Sequence, residues 1–389
     1  MITLKNPWDI ISTMLDLKTL KLPLWINTIP SLKEMLADLS THSRIAVDTE
    51  SNSLHAYREQ VCLVQFSTSQ DDYLVDPLAI NDLSLMKPVF QNPAIEKIFH
   101  AAEYDLICLS RDFGIRVENL FDTMHAARVL GYDAVGLDKI LADKFNIQVD
   151  KRHQKADWGA RPLTSDQIHY ARIDTHFLLP LRDELEKELR SMDRWELARE
   201  DFKRAAMVES PKVETDGYAV RRFAARKDIT NRELTILNEL CLWRETIAER
   251  LNRPLYKVMV DDQLLSIAKQ TPAHAVDLAA IGLSQRQIEM WGEAILTAID
   301  RGLNAPILNK TSTVKPDDSV LTRLDKLKNW RKAAAKKMDV ESDIVLPRQY
   351  LMSLALAQPK DNKSLAKVMS DSPRRAEQFG EQILKILKD

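Results

Sequence analysis

Cysteine is scarce in this chain of 389 residues: there are three, Cys62, Cys108 and Cys241. They are scattered, two of them in apolar runs, and none has a partner at zinc-ligand spacing. That excludes a disulfide-stapled scaffold and a structural zinc site, and reads as reduced core thiols of a cytoplasmic protein. No run reaches the roughly 18 apolar residues that a membrane span needs. The opening MITLKNPWDIISTMLDLKTLKLPLW carries acidic residues and no small-residue cleavage site, so it is not read as a secretory signal. It is expected to form an N-terminal helix or arm, 1–24, leading to Ile29-Pro30-Ser31. A phosphate-binding G-x-x-x-x-G-K is also missing, which argues against a helicase or polymerase motor.

What is present is acid, placed in order. Asp48 and Glu50 stand in IAVDTES, Asp105 in HAAEYD and Asp174 in YARID. Buried carboxylates repel one another and are costly to desolvate. Hard divalent cations with oxygen ligands, Mg²⁺ or Mn²⁺, remove that cost. Two such ions, roughly 3.5–4 Å apart, can clamp the attacking and leaving oxygens of a phosphodiester. The pattern therefore points to a metal-dependent nuclease.

The local context fits. Arg44-Ile45-Ala46-Val47 reads as a buried strand that Asp48 and Glu50 end, and the strand period of two puts both carboxylates on one face. Residues 61–66 and 73–75 read as two more strands in an antiparallel meander, stopped by Asp76-Pro77. Residues 97–100 read as a strand feeding a helix that carries Asp105, and Leu120-Phe121 as a short strand before a helix from Met124 to Leu130. Ser165 is a candidate N-cap for a helix over Gln167 to Leu178, closed by Pro180. On it Tyr170 and Asp174, four apart, share a face, so a phenol and a carboxylate meet at one site. These elements predict a mixed α/β sheet flanked by helices.

The order D-x-E, H-x-x-x-Y-D, Y-x-x-x-D resembles the DEDD exonuclease superfamily in its tyrosine-bearing branch. The flanks LVDPL (74–78), KIFHAAEYDL (97–106), LFDTMHAARVLGY (120–132) and KADWGARPLTSDQIHYARIDTHFLLPL (155–181) are similar to the ribonuclease D family. The resemblance implies an RNase H-like fold, two divalent metal ions, and 3′→5′ hydrolysis releasing nucleoside 5′-monophosphates. Carried over, it makes Asp48, Glu50, Asp105 and Asp174 metal ligands and Tyr170 the residue that orients the attacking water. A DNA exonuclease of the same fold and a catalytically silent RNA-binding scaffold stand as alternatives.

Other residues carry two readings each. His100 touches substrate or is a satisfied strand-end histidine. Asp122 reads as a helix N-cap ahead of a metal ligand. Lys155 and Arg161 hold phosphates, or Arg161 pairs with an acid; Trp158 stacks a base or packs under its loop. Gln65 and Phe66 read as core or near-site packing, with Phe66 stacking on a terminal base as the functional alternative.

The C-terminal half repeats itself. Residues 240–272 align without gaps to 327–359, an offset of 87, matching Trp243-Arg244 with Trp330-Arg331. This is a duplicated all-α domain that resembles the HRDC domain, a nucleic-acid-binding module. The expected organisation is an exonuclease domain over 25–209, HRDC-like domains over 214–302 and 320–389, and a linker over 303–319. Net charge runs from −8 over 1–209, through 0 over 210–309, to +6 over 310–389. Lys328, Arg331, Lys332, Lys336 and Lys337 cluster on one predicted helix and read as RNA contacts or as a solvated face. Together these features predict a monomeric cytoplasmic exoribonuclease, without membrane contact, trimming the 3′ tails of structured RNA such as tRNA precursors.

Overall fold

The computed structural model describes residues 20–208, 222–310 and 316–388. The expected arm falls outside the described residues up to 19. The described residues form two units. One comprises 20–51, 61–208 and 316–388; the other comprises 52–60 and 222–310.

In the first unit six strands make one mixed sheet in the order β1-β4-β3-β2-β5-β6. They are β1 (Leu24–Ile26), β2 (Arg44–Ser51), β3 (Val61–Ser67), β4 (Asp72–Val75), β5 (Glu96–Phe99) and β6 (Leu120–Asp122). β2, β3 and β4 are the expected antiparallel meander. β5 and β6 add in parallel on one side and β1 in parallel on the other. The sequence reading did not foresee β1, a three-residue strand that straddles the boundary drawn between the arm and the exonuclease domain. β2 runs through Asp48 and Glu50 rather than ending at them, and its register with β3 breaks only at Glu50/Ser51.

Strand alternation divides the core. On one face Val47 and Phe66 pack with Leu32 and Met35 of α1 (Ile29–Leu39) and Leu106 and Leu109 of α2 (Glu103–Phe113). Ala46 and Ile98 face a second layer, built by α3 (Thr123–Leu130), α4 (Leu137–Phe145), α5 (Ser165–His176), α6 (Leu178–Ser191) and α7 (Trp195–Ala206). Asp122 caps α3, accepting from Met124 N and His125 N. Thr164, not Ser165, caps α5 and forms a capping box with Gln167. Pro180 does not close α5 but sits in the first turn of α6, where proline removes no helical hydrogen bond.

The second copy of the repeat belongs to this unit. Its helices are α11 (Asp318–Met338), α12 (Arg348–Ala357), α13 (Asn362–Val368) and α14 (Pro373–Lys388), with α8–α10 assigned to the other copy below. Arg375 is 0% exposed and joins α14 to α7. It donates to Glu200 and Asp201, each at 2.9 Å, and to the carbonyls of Leu197 and Ile344. Arg128 of α3 pairs with Glu341 and Asp343, both at 2.6 Å. A Cβ on Gly131, at φ +89°, would lie 2.1 Å from the Asp339 carbonyl oxygen, so only glycine fits there.

The second unit contains the first copy: α8 (Asn231–Leu251), α9 (Asp261–Gln270) and α10 (Gln285–Asn304). α8 and α10 pack closely at Gly302, where a Cβ would come within 2.5 Å of Ile236 Cα. Residues 52–60, which connect β2 to β3, belong to this unit. Tyr57 donates to Glu245 at 2.6 Å, Arg58 to Glu249 at 2.8 Å, and Asn252 accepts from Tyr57 N at 3.2 Å. The repeat is visible in the packing of both copies. Trp243–Trp291 and Trp330–Phe379 are edge-on ring pairs, each with centroids 6.0 Å apart and 73° between planes.

Candidate active site

Asp48 and Glu50 project from β2 toward the layer that contains α5. There Asp174 and Tyr170 lie one helical turn apart. One carboxylate oxygen from each of Asp48, Glu50 and Asp174 lies within 4.8 Å of the other two. Asp105 arrives from the opposite layer, in the first turn of α2, and is not part of this closest group. Its Oδ1 accepts from both the amide and the hydroxyl of Thr49, the strand residue that points away from Asp48 and Glu50. Thr49 thus anchors Asp105 from the far side of β2.

The start of α2 is itself held. Ala101 adopts a left-handed conformation, φ 62°, which costs energy in a residue with a Cβ. Buried Asp122 accepts from Ala101 N at 3.1 Å and Ala102 N at 2.7 Å, and its carboxyl is lowered to about 2. Burial alone would raise it; the bonds from His125 and these amides prevail. The N-cap reading of Asp122 agrees with the geometry, and the same side chain also orients the turn that leads to Asp105.

Electrostatics at the four carboxylates runs the other way. Burial first, then Asp105, Asp174 and Glu50, push Asp48 well above the usual carboxylate range. Burial and then Asp174 and Asp105 do the same to Glu50. Asp105 and Asp174 are each pushed up to about 7, chiefly by burial. The Tyr170 hydroxyl is raised far above a normal phenol by burial and by Asp174, Glu50 and Asp48, so it stays protonated. Such a cluster cannot carry its full negative charge at neutral pH without compensating cations. Its donors are all hard oxygens, the set that Mg²⁺ or Mn²⁺ takes.

The secondary candidates fare differently. Arg161 is committed to structure: it holds Asp76 at 2.8 and 2.7 Å and donates to the carbonyls of Cys62, Trp158 and Ala160. Of its two readings, the geometry matches the pairing with an acid and not the phosphate contact. Trp158 is 1% exposed and packs with Tyr170, Leu63 and Leu74, so it presents no face for a base. Phe66 is 0% exposed in the core on the opposite face, against Phe90, which removes base stacking. His100 is half-buried, with Nδ1 2.9 Å from the Thr123 hydroxyl, and burial lowers its pKa. Lys155 is exposed on the loop before α5.

On α11, Lys332, Lys336 and Lys337 are exposed, while Lys328 pairs with Asp325 at 3.1 Å. Arg331 instead donates to the Leu346 carbonyl at 2.8 Å, a structural bond in place of an RNA contact. Sequence reading missed Thr49 and the second task of Asp122. Nothing local marks either one, because their partners lie 56 and about 20 residues away.

Residues 23–190 match a 3′-5′ exonuclease family model, and residues 233–299 and 320–387 each match the HRDC domain. The exosome complex exonuclease RRP6 of Saccharomyces cerevisiae is 31% identical over 320 residues, covering 78% of this chain and 43% of that protein. Human exosome complex component 10 is 30% identical over 258 residues, 64% of this chain and 29% of that protein. The chain thus spans less than half the length of these relatives. The crystal structure of Escherichia coli RNase D shares the fold, with a TM-score of 0.72 at 23% identity over 95% of this chain and 99% of that one. The catalytic core of RRP6 from Trypanosoma brucei superposes with a TM-score of 0.63 at 27% identity, covering 75% and 82%.

Proposed function

We propose, from the premise that the chain belongs to the ribonuclease D-like family of 3′-5′ exonuclease and HRDC domains, that it is a metal-dependent 3′→5′ exoribonuclease. The observation that carries this reading is the gathering of Asp48, Glu50 and Asp174 within 4.8 Å, with Asp105 beside them. Hydrolysis releases nucleoside 5′-monophosphates, and the substrate is the 3′ tail of structured RNA, tRNA precursors first among them.

Asp48, Glu50, Asp105 and Asp174 would hold two divalent cations, Mg²⁺ or Mn²⁺, which would supply activation of water and stabilisation of charge on the leaving 3′ oxygen. Tyr170 contributes position rather than basicity. Its phenol is protonated and donates to Asp174, so its oxygen accepts from, and orients, the attacking water. Thr49 and Asp122 fix where Asp105 stands. Lys332, Lys336 and Lys337 grip phosphates of the RNA body.

The test follows a 5′-labelled precursor tRNA with a 3′ tail, beside DNA of the same tail sequence, in Mg²⁺, Mn²⁺ or EDTA. Stepwise, metal-dependent shortening of the RNA that stalls near the stem supports the proposal. Preferential decay of the DNA replaces it with a DNA exonuclease. Decay of neither leaves an RNA-binding scaffold.

A further inference from the structure

Gln65 lies near the centre of β3, is 0% exposed, and neither its amide nitrogen nor its amide oxygen has a hydrogen-bond partner among the described residues. An unmet buried polar group destabilises the fold, and an apolar residue of the same size avoids that cost. The rest of the strand is Val61, Cys62, Leu63, Val64, Phe66 and Ser67. Ser67, two residues along on the same face, is fully used: it donates to Asp72 at 2.6 Å and sits 2.7 Å from the Thr175 hydroxyl. Gln65 is the exception.

Its location accounts for it. In the sheet register Gln65 is the cross-strand partner of Asp48, so the two side chains rise from the same face as neighbours. On one side of it along this face Ser67 meets Thr175, next to Asp174. On the other, Leu63 packs in the cluster that contains Tyr170 and Ala171. Gln65 therefore lies under α5 between sheet and helix, behind the carboxylates of Asp48 and Asp174.

We propose that Gln65 is a positioning residue for the cation site, its amide donating to the Asp48 carboxylate when Asp48 holds a cation. An ionised carboxylate only accepts, and has more lone pairs than one cation uses. The remainder needs a donor that does not compete with the cation. A neutral amide satisfies this; a lysine or arginine there would pair with Asp48 and displace the metal's charge. The inference rests on the reading of the site given above.

Mn²⁺ binding to the full-length protein is measured by calorimetry for wild type, Gln65→Met and Asp48→Ala, with melting in EDTA for each. Gln65→Met is expected to melt no lower than wild type, since it removes an unmet amide, yet to bind Mn²⁺ about 10–100-fold more weakly, as outer partners of metal ligands do. Wild-type affinity in Gln65→Met overturns the inference alone. Absence of Asp48-dependent Mn²⁺ binding in the wild type overturns the site reading and the inference together. Should Gln65→Met not fold, the Gln65 side-chain amide resonances of the wild type decide: a shift and slowed exchange on adding Mg²⁺ support the inference, and unchanged resonances overturn it.

Discussion

Arg244 and Arg331 occupy equivalent positions in the two helical domains and make equivalent bonds, to the carbonyls of Met259 at 2.9 Å and Leu346 at 2.8 Å. Around this shared fixture the charge is reversed. Glu245 and Glu249 of the first copy correspond to Lys332 and Lys336 of the second. The first pair holds Tyr57 and Arg58 of its own chain. The second pair faces solvent.

The two kinds of basic residue should therefore separate on substitution. Replacing Lys332, Lys336 and Lys337 together with Gln should leave the melting temperature near wild type. It should weaken RNA binding and flatten the log Kd against log salt slope by roughly 2–3, about 0.7–0.9 for each phosphate that is no longer neutralised. Arg331→Gln should do the opposite, lowering stability with little change in salt slope. Filter binding across salt concentrations and thermal melts check both.

The metal-free site should make stability fall as pH rises. Asp105 and Asp174 titrate at about 7 in the folded chain, against an ordinary value of 3.8. Between those values the folded chain holds protons that the unfolded chain has released, so stability is lost as pH climbs through that window. Asp174 is also among the charges that raise Asp48 and Glu50. In EDTA, Asp174→Asn should thus melt a few degrees above wild type at pH 8 and close to it at pH 5. Mg²⁺ should raise the wild type at pH 8 and leave the variant behind. Melts across this pH range, with and without Mg²⁺, check the sign.

Tyr170→Phe should lower kcat by about 100-fold while KM for RNA holds, the scale expected for losing one positioned proton-bearing group. Because the phenol is pushed out of the working range, it should contribute no limb to the pH–rate profile. Variant and wild-type profiles should run parallel between pH 6 and 9. A limb that vanishes in the variant would contradict the assigned role.

Arg375→Met should destabilise the first unit by about 3–5 kcal/mol, because Glu200 is left buried without its cation and Asp201 keeps only Arg204. Adding Glu200→Gln and Asp201→Asn to it should recover part of that loss. Urea unfolding of the single and triple variants measures the recovery.

Much of the candidate site was legible because its signals are local. Asp48 and Glu50 declare a shared face by parity, and Tyr170 and Asp174 by helical spacing. The repeat showed itself through Trp243-Arg244 and Trp330-Arg331. What escaped depends on distant partners. For Arg161 the sequence leaves phosphate binding and pairing with an acid both open, and only the fold brings in Asp76, 85 residues earlier in the chain. Arg331 looked like one more base in a basic helix until its carbonyl partner appeared 15 residues on. Trp158 and Phe66 have the composition of stacking residues, and only their burial says otherwise. Leu24–Ile26 is too short to show a period, and becomes a strand because the edge of β4 is there to pair with it.

The nine residues between β2 and β3 set a schedule for the ribosome. Tyr57 and Glu245 are 188 residues apart. At about 5–20 residues per second, roughly 10–40 s of synthesis separate them. The hairpin flanking the excursion can zip up early, while its tip waits in water for a helix not yet made. Arg375 follows its partner Asp201 by 174 residues of chain, so that clasp closes later still.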